Sequence, residues 1–154
     1  MSLCESLSLS CFSISKKSNG SEKERRTSFM DFNLTEQQKL MQKLFREVAQ
    51  NEVKENAADV DENERFPKEN VEVMRQAKML GIPYSREYGG AGADYLCYIM
   101  AVEELSKTCA TTGVVLSAHT SLGTWPIAQF GTEEQKKRFL PDLCTGKRLA
   151  AFGL

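Results

Sequence analysis

From Thr35 to Gly146, apolar residues return at steps of three and four rather than two, the period that lets a helix bury one face and a strand not. Leu40, Leu44 and Val48 recur at four-residue steps, with Met41 and Phe45 beside them. Thr35 followed by Gln38 has the capping-box pattern, in which each side chain bonds a free backbone N–H of the first turn. A helix is predicted through Asn51, fraying in the acidic stretch Asp59 to Glu64. Pro67 suits a first helical position, Val71, Met74 and Ala77 mark a second buried stripe, and Gly81 ends it. The breakers from Ile82 to Gly92 leave only a loop. Asp94 caps a third helix carrying Leu96, Ile99, Met100 and Leu105. A fourth apolar stretch, Val114 to Leu122, is punctuated by Gly123 and Pro126. Thr132 with Gln135 repeats the capping box, and Phe139, Leu140 and Leu143 supply the apolar side of a last helix that stops at Gly146.

The expected fold is therefore all-α, an up-and-down bundle of about five or six helices with one core, a size that 154 residues can supply. The final Ala150-Ala151-Phe152-Gly153-Leu154 reads instead like the first half of a β-strand. A strand without a partner leaves its backbone hydrogen bonds unmade, so this ending raises the question of what pairs with it.

A formal net charge of −1 gives no electrostatic case for nucleic acid or an anionic membrane. No apolar stretch approaches the roughly 18 to 20 residues that span a bilayer. Five cysteines stand at no zinc-knuckle spacing and there is one histidine, so no metal site is expected. The odd, scattered cysteine count suits a reducing compartment. Residues 1–29 are serine-rich without an apolar repeat and read as a disordered leader or an upstream extension, since Met30 opens like an ordinary start. Glu5, Glu22 and Glu24 count against an organelle transit peptide.

Few residues invite chemistry. The glycines at 89, 90 and 92 miss the spacing of a dinucleotide fingerprint and are followed by no P-loop lysine, so a structural turn is favoured. Glu103 and Glu104 point roughly 100° apart on a helix and cannot share a substrate atom; one is read as a surface charge, the other as buried or paired. His119 is read as hydrogen-bonded or exposed, and Cys97, Cys109 and Cys144 as small apolar packing groups in helices. Val114 to Leu122 is apolar on several faces, which predicts full enclosure, as a core helix or as the wall of an apolar pocket.

Two stretches, "LGIPYSREYGGAGADYLCYIMAVEELSKTCATTGVVLSAHTSLGTWPI" at Leu80 to Ile127 and "FGTEEQKKRFLPDLCTGKRLAAFGL" at Phe130 to Leu154, resemble the amino-terminal helical domain of the acyl-CoA dehydrogenases, flavoenzymes that desaturate acyl thioesters between the α and β carbons. The resemblance runs from Met30 to Leu154 and is nearest to short-chain, butyryl-CoA type members. It implies a helical domain at 30–147 and, at 148–154, the start of a flavin-binding β-domain whose remainder, with the carboxy-terminal domain bearing the catalytic carboxylate, lies outside this chain. The fragment alone is accordingly expected to be inactive, with no catalytic residue of its own. The resemblance further implies FAD, with Phe152, Gly153 and Leu154 beginning the flavin-contacting strand, and an acyl-chain cavity bordered by Val115, Ala118 and Leu122. Electron-transfer flavoprotein as acceptor and a homotetramer when full length also follow from it. Cytoplasm is the expected location, the mitochondrial matrix the alternative. Two rival readings remain: a non-enzymatic helical interaction module presenting the uncovered apolar surface, and a small redox protein using Cys97 and Cys109.

Overall fold

A computed structural model describes residues 32–153. The leader expected at 1–29 and the last residue, Leu154, lie outside them. Seven α-helical segments follow in order: α1 Glu36–Val48, α2 Lys54–Glu62, α3 Lys68–Gln76, α4 Tyr95–Thr108, α5 Ala110–Ser117, α6 Trp125–Phe130 and α7 Glu133–Cys144. A π-helical turn, Ala49–Val53, joins α1 to α2, and another, Ala118–Thr124, joins α5 to α6. The seven thus amount to five rods, the all-α arrangement the periodicity predicts.

Both capping boxes form. Thr35 Oγ1 accepts from the Gln38 N–H while Gln38 Oε1 accepts from the Thr35 N–H, and Thr132 and Gln135 repeat the exchange at the start of α7. Asp94 caps α4 by accepting from the Cys97 N–H at 2.8 Å. The buried line of α1 is Met41, Phe45 and Val48, continued by Ala49 and Val53. Leu40, expected in that stripe, is half exposed, because α4 covers the side one residue further round. Those residues meet Met100, Ala101 and Leu105 of α4, Met74 of α3, Met79, Leu80 and Ile82 of the following turn, and Leu116 of α5. Each of the larger side chains, the valines, leucines, isoleucine, methionines and phenylalanine, contributes about 1.5–3 kcal/mol on burial. Arg46 on α1 grips Glu104 on α4 through two N–H···O bonds of 2.9 and 3.1 Å, tying the rods together where the core ends.

Several boundaries differ from the sequence expectation. The first rod does not fray at Asp59 but runs to Glu62, since Val60 is buried and Arg65 gathers the Asp59 and Glu69 carboxylates. Pro67 occupies the cap position, one residue earlier than expected. α3 ends at Gln76 rather than Gly81, the chain turning through Lys78 in left-handed backbone at φ 55°. Gly81 serves close packing instead, for a Cβ there would lie 2.6 Å from the Cys144 carbonyl oxygen. Cys109 is not helical but sits in β-region backbone at the corner between α4 and α5. Leu96 and Ile99 of α4 point outward.

Gly123 and Pro126 do not break their rod. Proline lacks the N–H that would bond back, and its ring crowds the carbonyl four residues earlier. The preceding π turn takes up the misfit: the Trp125 N–H reaches the Thr120 carbonyl, one residue further back than in an α-helix. A second cluster, Tyr84, Leu140 and Cys144 with Ile127 and Ala128 against it, fixes α7 and the glycine loop on α6.

After Gly146 the chain runs as an irregular strap to Gly153. The strand expected at Ala150 to Leu154 does not form among the described residues, which supply no neighbouring strand to pair with it.

Candidate functional site

The glycine loop is spent on itself. The N–H groups of Gly89, Gly90, Ala91 and Gly92 donate to the carbonyls of Arg86, Ser85, Gly81 and Tyr84, so none is left for a phosphate. A Cβ at Gly90 would stand 2.6 Å from the Tyr84 carbonyl carbon and 2.8 Å from the Gly81 oxygen, which explains the residue without a ligand. Glu104, 3% exposed, is held ionised by the hydrogen bonds from Arg46 and then Lys107, which lower its carboxyl below the ordinary range against the opposing effect of burial. Its neighbour Glu103 is a surface partner of Lys107. The two carboxylates divide as the sequence suggests.

The rod made by α5, the second π turn and α6 carries the remaining candidates. Thr112, Leu116, His119, Thr120 and Thr124 face inward. Outward stand Val114, 65% exposed, and Leu122, 52% exposed, with Val115 and Ala118 half-buried. The expectation that this stretch is fully enclosed therefore fails. The expected pocket residues Val115, Ala118 and Leu122 lie with Val114 on one arc of the rod; Val115 packs in part against the core, while Val114 and Leu122 are left exposed by the described residues. Sequence alone could not separate enclosure by this chain from enclosure by another domain, because both select apolar side chains.

Beside that arc runs the strap. His119, 1% exposed, accepts the Ala150 N–H at Nδ1 (3.0 Å), so its proton resides on Nε2 and is donated to the Leu143 carbonyl at 3.2 Å. Burial lowers its pKa, opposed by the carbonyls of Leu143 and Leu80. Gly123, four residues on, has Ala150 directly against it: a Cβ there would lie 2.8 Å from the Ala150 carbonyl carbon and 3.0 Å from the Ala151 nitrogen. Tyr84 donates to the Thr120 carbonyl at 2.5 Å, an oxygen that also accepts the Trp125 N–H, and burial raises its phenol well above the ordinary value. Sequence reasoning missed Gly123, taking it for punctuation; a glycine inside an apolar helical run was the available signal.

Past Ala150 the strap opens. Ala151, Phe152 and Gly153 are exposed, with no backbone hydrogen bond among the described residues and empty space around Gly153. The three cysteines described, Cys97, Cys109 and Cys144, are buried free thiols, and burial pushes Cys97 and Cys144 up to about 11, which leaves them poor nucleophiles. Among the described residues no helix is long and apolar enough to cross a membrane.

The described residues thus form a bundle of helical rods with apolar side chains left exposed on one rod and a strap whose last residues make no backbone hydrogen bond. The family described as acyl-CoA dehydrogenase, N-terminal domain, matches residues 35–147, and the chain belongs to it. Over 125 residues it is 60% identical to the short-chain specific acyl-CoA dehydrogenase of Clostridium acetobutylicum, a match covering 81% of this chain and 33% of that one. The structure of butyryl-CoA dehydrogenase from Megasphaera elsdenii superposes with a TM-score of 0.71 at 37% identity, covering 78% of this chain and 32% of that one. A chain in a structure of the electron transferring flavoprotein of Acidaminococcus fermentans does so at 0.73 and 41% identity, with the same coverage. The chain spans about a third of the length of the curated relatives it matches.

Proposed function

We propose that this chain is the amino-terminal domain of an FAD-dependent short-chain acyl-CoA dehydrogenase, which introduces an α,β double bond into a butyryl-CoA-like thioester. The observation that carries the reading is the exposed pair Val114 and Leu122, with Val115 and Ala118 half-buried beside them, apolar where solvent exposure would favour polar side chains, in a chain of this family. Val115, Ala118 and Leu122 form one wall of the acyl-chain cavity and exclude water from it. Phe152 and Gly153, with Leu154 after them, meet the flavin edge through open peptide groups. FAD, when bound, supplies the hydride acceptor for the β-carbon. Removal of the α-proton requires a carboxylate, a role that neither Glu104, committed to Arg46, nor Glu103, at the surface with Lys107, fills. Residues 30–147 are the helical domain, and 148–154 lead into the flavin-binding domain. Electron-transfer flavoprotein is the acceptor and the assembly a homotetramer; the resemblance to bacterial relatives favours the cytoplasm.

The test is a chimera. Residues 30–154 are fused to the remaining two thirds of the Clostridium acetobutylicum relative, and reduction of an artificial electron acceptor by butyryl-CoA is followed. Turnover is expected from the chimera and none from the 154-residue chain alone. A folded, flavin-loaded chimera inert toward every short-chain acyl-CoA would refute the reading.

A further inference from the structure

We propose that His119 and Gly123 form a positioning site for the strap, fixing where it leaves the helical layer and hence where Phe152 and Gly153 present to the flavin. The consequence for the flavin rests on the function proposed above; the strap contact does not.

The two residues lie four apart on the π-helical turn Ala118–Thr124 and meet the same residue of the strap. His119 supplies direction, through the 3.0 Å bond from the Ala150 N–H, and Gly123 supplies distance, because any side chain there would push Ala150 away. Nε2 anchors the ring to the end of α7 through Leu143, so the imidazole links its own turn both to α7 and to the strap that follows it. Before Ala150 the strap is tethered by Arg148, whose N–H donates to the Asp142 carbonyl at 3.1 Å; beyond it no backbone bond is made among the described residues. Ala150 is therefore the last fixed point before the open segment.

Only the neutral ring can accept at Nδ1 while donating from Nε2, so protonation turns the acceptor into a donor facing another donor. α7 carries Glu133, Glu134, Lys136, Lys137, Arg138, Asp142 and Cys144; Tyr84 follows the Met79–Gly81 turn and Lys78 precedes it, and Lys147 and Arg148 stand on the strap. Asp142 is paired with Lys147 and Arg148, and burial with the Leu143 and Leu80 carbonyls, not these charges, sets the direction of the His119 pKa. The strap contact is thus governed by the ring's own proton.

Amide hydrogen exchange of the 154-residue chain, read residue by residue between pH 4.5 and 7.5, tests this. At pH 7.5 the Ala150 amide is expected to be protected about tenfold over an open chain, the factor one net hydrogen bond supplies. That protection should vanish as the ring protonates, while the amides of Ala101 and Leu116 stay protected throughout. In His119→Phe the Ala150 protection is absent at every pH. In His119→Asn, whose Oδ1 falls near the Nδ1 position, it returns without the pH step. Ala150 protection that is absent in the parent chain at pH 7.5, or that survives unchanged in His119→Phe, overturns the proposal. Because no flavin enters the measurement, failure here is distinct from failure of the chimera.

Discussion

Asn70 is fully buried on α3 and joins three rods by side-chain hydrogen bonds. Its Nδ2 donates to Thr112 Oγ1 on α5 at 2.9 Å, and its Oδ1 accepts from Asn56 Nδ2 on α2 at 3.0 Å. Thr112 in turn donates to Cys109 Sγ at 3.2 Å. Replacing Asn70 by leucine keeps the side chain's size and removes both bonds. Each is worth about 1 kcal/mol net, and the buried Thr112 oxygen then lacks a donor, adding about 1 kcal/mol; the half-buried Asn56 amide can turn to water. The expected loss is about 2–3 kcal/mol, partly offset by the apolar area leucine gains, and roughly 6–15 °C in melting temperature for a domain of this size. Urea unfolding of N70L, T112V and the double variant measures it, with a coupling between the two sites of about 1 kcal/mol expected. If N70L proves neutral, or the two losses simply add, the network does not hold the rods and the reasoning is wrong.

Two further outcomes follow from the same geometry. Because Arg46 and Lys107 lower the Glu104 pKa on folding, the unfolded chain binds more protons at acid pH; this contribution is complete above pH 4.5 and is lost as pH falls through the folded value. Denaturant midpoints measured from pH 7 to pH 3 should therefore decline less steeply in Glu104→Gln than in the parent chain. Gly90→Ala, which drives a Cβ into the Tyr84 and Gly81 backbone, should destabilise the fold by about 1–3 kcal/mol, whereas an alanine at the open Gly153 should leave thermal unfolding unchanged.

Much of the fold was legible because its signals are local. A capping box needs only residues three apart, and both predicted boxes form. The Asp94 cap and the self-bonded glycine loop are equally short-range. Boundaries failed where a distant partner intervened: the first rod continues past Asp59 because Val60 is covered and Arg65 holds two carboxylates, and α3 stops early because Lys78 accepts a left-handed turn. The candidate site was legible as composition but not as geometry. An apolar run from Val114 to Leu122 announces burial without saying what does the burying.

The sequence by itself determined the helical period, the caps, the loop and the family, each of which is written in neighbouring residues or in a continuous stretch of matching ones. Only the tertiary structure decided which side chains of the α5–α6 rod stay exposed and what the lone histidine holds. His119 reaches Leu143 and Ala150, 24 and 31 residues away, and contacts at such separation are made by packing, which no local pattern encodes.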